Sequence, residues 1–210
     1  MMTSSREKTV VFDLGQVLVR WDPEGFYDRQ IGVARRKALF QAVDMHGHNL
    51  RIDLGETKEE VMQDVARQHP EFAEDIMLWS SHWLEMLYDD IPHSVRLLKA
   101  LKAKGHPVVA LTNFGWDTLA IAEHRYPFLT LFDRRFVSGE LRTVKPRADI
   151  YEAVENGLGV APEQLVFADD SPANVEAAQA RGWHAHLFTE PQGWADCLVA
   201  HGILTREEAQ

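Results

Sequence analysis

The hydrophobic pattern of the chain alternates between two periods. Thr9-Val10-Val11-Phe12-Asp13-Leu14-Gly15 is a β-branched apolar run that ends in an acid and a glycine, which predicts a buried parallel strand followed by a sharp loop. Comparable runs occur at His106 to Asn113 and Gln164 to Asp170, with a weaker one at Trp183 to Phe188. Helical spacing separates them. His93 to Lys104 sets Val95, Leu98 and Leu101 on one side and Arg96, Lys99 and Lys102 outside, with Gly105 as a stop. Arg147 to Leu158 repeats the pattern with Ile150, Tyr151, Val154 and Leu158. Ser171-Pro172 reads as a helix start with Ser171 as N-cap, and Gly182 as its end.

Strands alternating with helices predict an α/β fold, a doubly wound (Rossmann-like) parallel sheet. One stretch departs from the alternation. From about Asp22 to Tyr88 no strand is evident; Lys58 to Gln68 reads as helix, and Phe72, Ile76, Trp79, Trp83 and Met86 recur at helical spacing. The expected organisation is therefore a core over residues 1–21 and 89–210, with a helical insertion over 22–88.

Composition narrows the function classes. The chain has 210 residues, 45% hydrophobic and 26% charged, an ordinary globular balance. With 32 acidic against 22 basic residues the net charge is −10, which argues against nucleic acid or an anionic membrane as partner. The single cysteine excludes an intramolecular disulfide framework and suits a reducing compartment, so a cytoplasmic location is expected. Met1 to Lys8 is polar, unlike a signal peptide, and no apolar run is long enough to span a bilayer.

In a doubly wound sheet ligands sit at the carboxyl ends of the strands. Asp13, Thr112, Asn113, Asp169 and Asp170 fall there, with Lys145 before Pro146 nearby in the chain. Three carboxylates at one sheet end repel one another unless a cation lies between them, and an all-oxygen set points to Mg²⁺. An Asp at such a site can act as a nucleophile toward phosphorus.

These segments resemble, in order and spacing, the four motifs of the haloacid dehalogenase superfamily. Asp13-Leu14-Gly15-Gln16-Val17, Leu111-Thr112-Asn113, Lys145-Pro146 and Phe167-Ala168-Asp169-Asp170-Ser171 match motifs one to four. The resemblance implies a Mg²⁺-dependent phosphatase acting on a small phosphorylated metabolite, with the helical insertion as a mobile cap. It implies Asp13 as nucleophile and metal ligand, a metal contact from the Gly15 carbonyl, and further ligands in Asp169 and Asp170. Thr112 and Asn113 would hold the phosphoryl oxygens, and Lys145 would neutralise Asp13 and the phosphate. Most phosphatases of the family carry a second Asp two residues after the nucleophile; here that position is Gly15. The Asp-Leu-Gly-x-Val form resembles a branch of sugar-phosphate phosphatases, the alpha-glucose-1-phosphate phosphatase-like proteins. Losing a positioned acid costs about 10² to 10⁴ in rate, so good leaving groups should be preferred, with water or a cap residue supplying the proton.

Gln16, Arg20, Trp21 and Asp22, which follow motif one, are candidate substrate contacts, as are His46 and His48 in the insertion. Hinge packing for the former and surface positions for the histidines are the simpler alternatives. Two other functions fit the same scaffold. One is a 2-haloacid dehalogenase, which needs no metal; the other is a non-catalytic binding or regulatory protein. The oligomeric state stays open.

Overall fold

The computed structural model describes residues 8–210. Most of the polar stretch Met1 to Lys8, namely residues 1–7, lies outside the described residues. In chain order the elements begin with β1 (Thr9–Phe12) and β2 (Val19–Trp21). Six helices follow: α1 (Pro23–Ile31), α2 (Val33–Ala42), α3 (Met45–Asp53), α4 (Lys58–Gln68), α5 (Ala73–Ser81) and α6 (Trp83–Met86). The remainder is β3 (Leu87–Asp90), α7 (Pro92–Ala103), β4 (Val108–Thr112), α8 (Trp116–Arg125), β5 (Arg134–Val137), α9 (Ser138–Leu141), α10 (Ala148–Leu158), β6 (Leu165–Asp169), α11 (Pro172–Ala180), β7 (His184–Leu187) and α12 (Pro191–Ala200).

Five strands form one parallel sheet in the order β5-β4-β1-β6-β7. Side chains alternate across it with period two. Val10, Phe12, Val108, Ala110, Val166 and Ala168 belong to one apolar cluster, into which α12 sends Trp194 against Phe12 at 5.5 Å between ring centroids. Val11, Val109, Leu111, Leu165 and Phe167 belong to the other, with Ile150, Tyr151 and Val154 of α10. Both faces are covered, which is why the strands read as continuous apolar runs. The chain leaves β1 toward β4 and β5, then crosses back to β6 and β7 on its other side. That reversal opens a crevice at the carboxyl ends of β1 and β6.

The predicted helices and strands of this core are present, and Gly182 closes α11 with φ +94°. Ser171 occupies the N-cap of α11, but its side chain makes no capping bond. Three strands depart from the expectation. β2 and β3 form a two-stranded antiparallel pair, Trp21 opposite Leu87 and Val19 opposite Asp90, so Leu87 and Tyr88 are strand where none was expected. The edge strand β5 presents Arg134 and Arg135 to solvent and only Phe136 and Val137 to the interior, too little to make an apolar run. The helical spacing from Phe72 to Met86 is also interrupted: a 3₁₀ turn at Pro70–Phe72 precedes α5 and a break at His82 separates α5 from α6, while all five apolar residues stay buried. Among the described residues no helix is long and apolar enough to cross a membrane.

Candidate active site

β1 delivers Asp13 to the crevice, where it is 8% exposed. Its backbone N–H donates to the Ala168 carbonyl at 3.0 Å, tying it to β6. The chain then turns sharply: Gln16 has φ +56°, its N–H donates to the Val19 carbonyl at 2.7 Å, and Leu18 N–H donates to Leu14 at 2.9 Å. This turn sets Gly15 and Gln16 on the crevice wall. β6 delivers Asp169, with no exposure at all, and the exposed Asp170. Asp13, Asp169 and Asp170 each offer a carboxylate oxygen within 4.8 Å of the others.

Lys145 reaches this cluster from the loop between α9 and α10. It is 3% exposed, and its Nζ has three acceptors: Asp169 Oδ2 at 2.6 Å, Asp13 Oδ1 at 3.0 Å and the Leu111 carbonyl at 3.0 Å. Burial works against its charge, but Asp13 and Asp169 outweigh that and hold the ammonium above its ordinary pKa. Asp169 Oδ1 accepts from Ser171 N–H and Asn174 Nδ2, both at 2.9 Å, which fills that oxygen and leaves one acceptor site on Oδ2 beside Lys145.

Three carboxylates against one ammonium leave a local charge of −2. Burial pushes the Asp13 carboxyl up to about 7, with Lys145 opposing and the charges of Asp169 and Asp170 adding to the rise. Burial and Asp169 likewise raise Asp170. A divalent cation removes this frustration, and an all-oxygen donor set fits a hard cation such as Mg²⁺. Asp13, Asp169 and Asp170 are therefore suited to hold Mg²⁺.

Above the cluster lies a cavity of about 230 Å³. Of the expected residues, Asp13, Gly15, Gln16, Trp21, Asn113 and Asp170 line it. Thr112, at the end of β4, is buried, as are Lys145 and Asp169. Asn113 does more than face the cavity: its Oδ1 accepts from Lys145 N–H at 2.8 Å and its Nδ2 donates to the Lys145 carbonyl at 3.1 Å. Both ends of the amide are clamped to the Lys145 backbone, which leaves one amide hydrogen unspent.

Four expected substrate contacts do not line the cavity. Arg20 is exposed on β2, outside the wall. Asp22 is the N-cap of α1, accepting from Gly25 N–H at 2.8 Å, so its carboxylate is used locally. His46 packs on Phe40 and Trp79 and lies 3.9 Å from Glu24. His48 is half-buried off the wall, where burial and Arg51 lower its pKa. Instead the insertion supplies Asn49, Ile52 and Asp53 from α3 and Trp83 from α6; Leu87, Phe114 and Thr118 complete the wall. The spacing of Asn49, Ile52 and Asp53 puts them on one helical face. That was the available signal, hidden by the absence of any apolar stripe across Met45 to Asp53.

Comparison with known proteins bears on the family and the fold. The family model described as haloacid dehalogenase-like hydrolase matches residues 7–182. The phosphoglycolate phosphatase of Escherichia coli (strain K12) is 31% identical over 91 residues, which is 43% of this chain and 36% of that protein. Hexitol phosphatase A of the same organism is 29% identical over 101 residues, 48% of this chain and 46% of that protein. The chain thus aligns with less than half the length of these relatives. Among solved structures, a HAD family enzyme from Bacteroides thetaiotaomicron superposes with TM-score 0.73 at 24% identity, covering 90% of this chain and 97% of that one. The same enzyme has been solved in complex with magnesium and inorganic phosphate.

Proposed function

The chain belongs to the haloacid dehalogenase-like hydrolases, and from that premise we propose that it is a Mg²⁺-dependent phosphatase of small phosphorylated metabolites, most suitably neutral sugar phosphates. The observation that carries this reading is the convergence of Asp13, Asp169 and Asp170 around the Lys145 ammonium at the reversal point of the sheet. Asp13 is the nucleophile. Its free oxygen attacks phosphorus in line, the ester P–O bond breaks, and water then hydrolyses the aspartyl-phosphate. Asp13, Asp169 and Asp170, with the Gly15 carbonyl, hold Mg²⁺, which when bound supplies charge stabilisation to the phosphoryl oxygens. Lys145 has no spare donor, so it acts through its charge and by fixing the Asp13 rotamer. Thr112, and the amide hydrogen of Asn113 not spent on Lys145, serve the phosphoryl oxygens.

The insertion α1 to α6 acts as a cap that excludes water from the reacting centre. Its contribution to the wall is an amide (Asn49), an aliphatic side chain (Ile52), an acid (Asp53) and an indole (Trp83), beside Trp21 and Phe114. Among the described residues that line the cavity there is no Arg, Lys or His. A leaving group with a second anionic centre would find no counter-charge, whereas a sugar has apolar ring faces for Trp21 and Trp83 and hydroxyls for Gln16 and Asn49. A cytoplasmic location, and partners that are neither nucleic acid nor membrane, complete the reading. They rest on the single cysteine and the net charge of −10.

The test is hydrolysis of an aryl phosphate and a panel of sugar phosphates with Mg²⁺ and with chelator, with Asp13→Asn as control. Mg²⁺-dependent turnover that vanishes in Asp13→Asn is expected, with phosphoglycolate a poorer substrate than neutral sugar phosphates. Activity retained in Asp13→Asn would sink the nucleophile assignment. Halide release from a 2-haloacid in chelator would favour the dehalogenase reading.

A further inference from the structure

Breaking the ester bond of an alkyl or sugar phosphate expels an alkoxide, which needs a proton as it leaves. The carboxylates of Asp13 and Asp170 on the cavity wall, and Asp169 behind them, are committed to the metal and to Lys145. The cavity has one more acid. Asp53, the last residue of α3, lines it with Asp13, Gly15 and Asp170. It therefore shares the space into which a leaving group must depart.

Asp53 is held in a defined way. Trp79 is fully buried, and its indole N–H can only donate; it does so to Asn49 Oδ1 at 3.1 Å. That fixes the amide orientation, so Asn49 Nδ2 donates to Asp53 Oδ2 at 3.1 Å. Asp53 Oδ1 has no hydrogen bond or ion pair among the described residues and remains available to the cavity. The nearest charged residue on α3, Arg51, is occupied by Glu56 and Asp64, away from Asp53. Burial, opposed by the Asn49 hydrogen bond and by the charge of Lys145, lifts the Asp53 carboxyl to about 7. A carboxylic acid of that strength is divided between its two forms at neutral pH, as a group that must both give and take a proton requires.

We propose that Asp53 is the proton donor and acceptor of this active site, acting from α3 on the leaving group. This assignment rests on the phosphatase reading. In the first step the Asp53 carboxylic acid gives its proton to the ester oxygen as that oxygen leaves phosphorus and Asp13 bonds to it; alcohol, aspartyl-phosphate and Asp53 carboxylate result. In the second, Asp53 carboxylate takes a proton from water as the water oxygen bonds to phosphorus and the Asp13–phosphorus bond breaks. Inorganic phosphate is released, and both side chains return to their starting forms. The preference for good leaving groups expected from Gly15 then belongs to a protein lacking Asp53, not to the native chain.

The experiment compares an alkyl and an aryl phosphate in the full-length protein with Mg²⁺, wild type against Asp53→Asn. The amide is isosteric and can keep the Asn49 contact. Expulsion of phenolate needs no proton, so the first step on the aryl ester should survive while the second slows. The expected result is a loss of about 10² to 10⁴ in alkyl turnover, with a burst of about one equivalent of phenolate per protein on the aryl ester. A Cβ at position 15 would meet nothing within 4 Å, and Gly15 lines the same cavity, so Gly15→Asp can offer a second carboxyl there. In the Asp53→Asn background it should recover alkyl turnover at least about tenfold, a fraction of that loss. Alkyl turnover in Asp53→Asn equal to wild type overturns the proposal. So does an equal loss on both esters that shows no burst and that Gly15→Asp does not recover. Wild-type protein inert toward both esters overturns the phosphatase reading itself, and this assignment with it.

Discussion

Asn113 and Lys145 are joined by two hydrogen bonds of opposite sense, the Asn113 side chain accepting from the Lys145 N–H at 2.8 Å and donating to its carbonyl at 3.1 Å. Thirty-two residues apart in the chain, they lock the loop that carries the ammonium to the end of β4. Asn113→Ala leaves both backbone groups unpaired in a partly buried place. It should cost about 2–4 kcal/mol in chemical denaturation. Because the Lys145 ammonium then shifts relative to Asp13, kcat should fall roughly 10²-fold.

Mg²⁺ should stabilise the fold, because it relieves the repulsion among Asp13, Asp169 and Asp170. At 100 times its dissociation constant the gain is about 2.7 kcal/mol, or roughly 5–10 °C in Tm for a chain of this size. Chelator should reverse it. Ligand carboxylates must be ionised to bind, and Asp13 is raised to about 7 in the metal-free protein. The thermal shift should therefore be larger at pH 8 than at pH 6.

Asp53→Asn should raise stability at high pH only. In the folded chain the Asp53 carboxyl is raised from 3.8 to about 7. Its favourable contribution is thus complete below about pH 4 and is lost as pH rises through 7. Above that, the wild type carries the cost of a buried carboxylate, on the order of a few kcal/mol before partial exposure screens it. Melting curves of the two proteins in chelator should coincide near pH 4 and separate by pH 8.

Asn49→Ala removes the hydrogen bond to Asp53 and the acceptor of the buried Trp79 N–H. The unsatisfied indole should cost about 1–3 kcal/mol. A donor to a carboxylate favours its ionised form, so losing it raises the Asp53 pKa further. The alkaline limb of the kcat/KM profile should move to higher pH, whereas a purely structural defect would lower the profile without moving the limb.

Gly139→Ala tests the wall of the cavity from behind. A Cβ there would lie 2.8 Å from Trp116 N and 2.9 Å from the Phe114 carbonyl, both backbone atoms. The Phe114 loop, pinned by hydrogen bonds to Ser138 and Gly139, would have to move. A loss of about 1–3 kcal/mol is expected, with KM rising more than kcat falls because Phe114 lines the cavity away from the carboxylate cluster's own contacts.

Much of the core was legible because its signals are local. A strand buried on both faces must be apolar along its interior, as Val10–Phe12 and Leu165–Ala168 are, and the residue that ends the run lies at the sheet end whatever the rest of the chain does. The weak edge strand β5 and the short pair β2–β3 bury too few residues to leave such a trace. The insertion was legible as helix, but its orientation was not. Asp22 is a candidate substrate contact in sequence and a helix cap in space. His46 and His48 are candidate substrate contacts in sequence, yet the wall takes Asn49, Ile52 and Asp53 from the same helix.

The sequence by itself determined the doubly wound sheet and the gathering of Asp13, Asp169 and Asp170 at one end of it, because strand period and chain order leave few other arrangements. Only the tertiary structure decided that Lys145 sits between Asp13 and Asp169, and that α3 turns Asp53 toward them. Both depend on contacts between residues far apart in the chain: Asn113 clamping the Lys145 backbone, and the buried Trp79 fixing Asn49. No local spacing encodes such contacts.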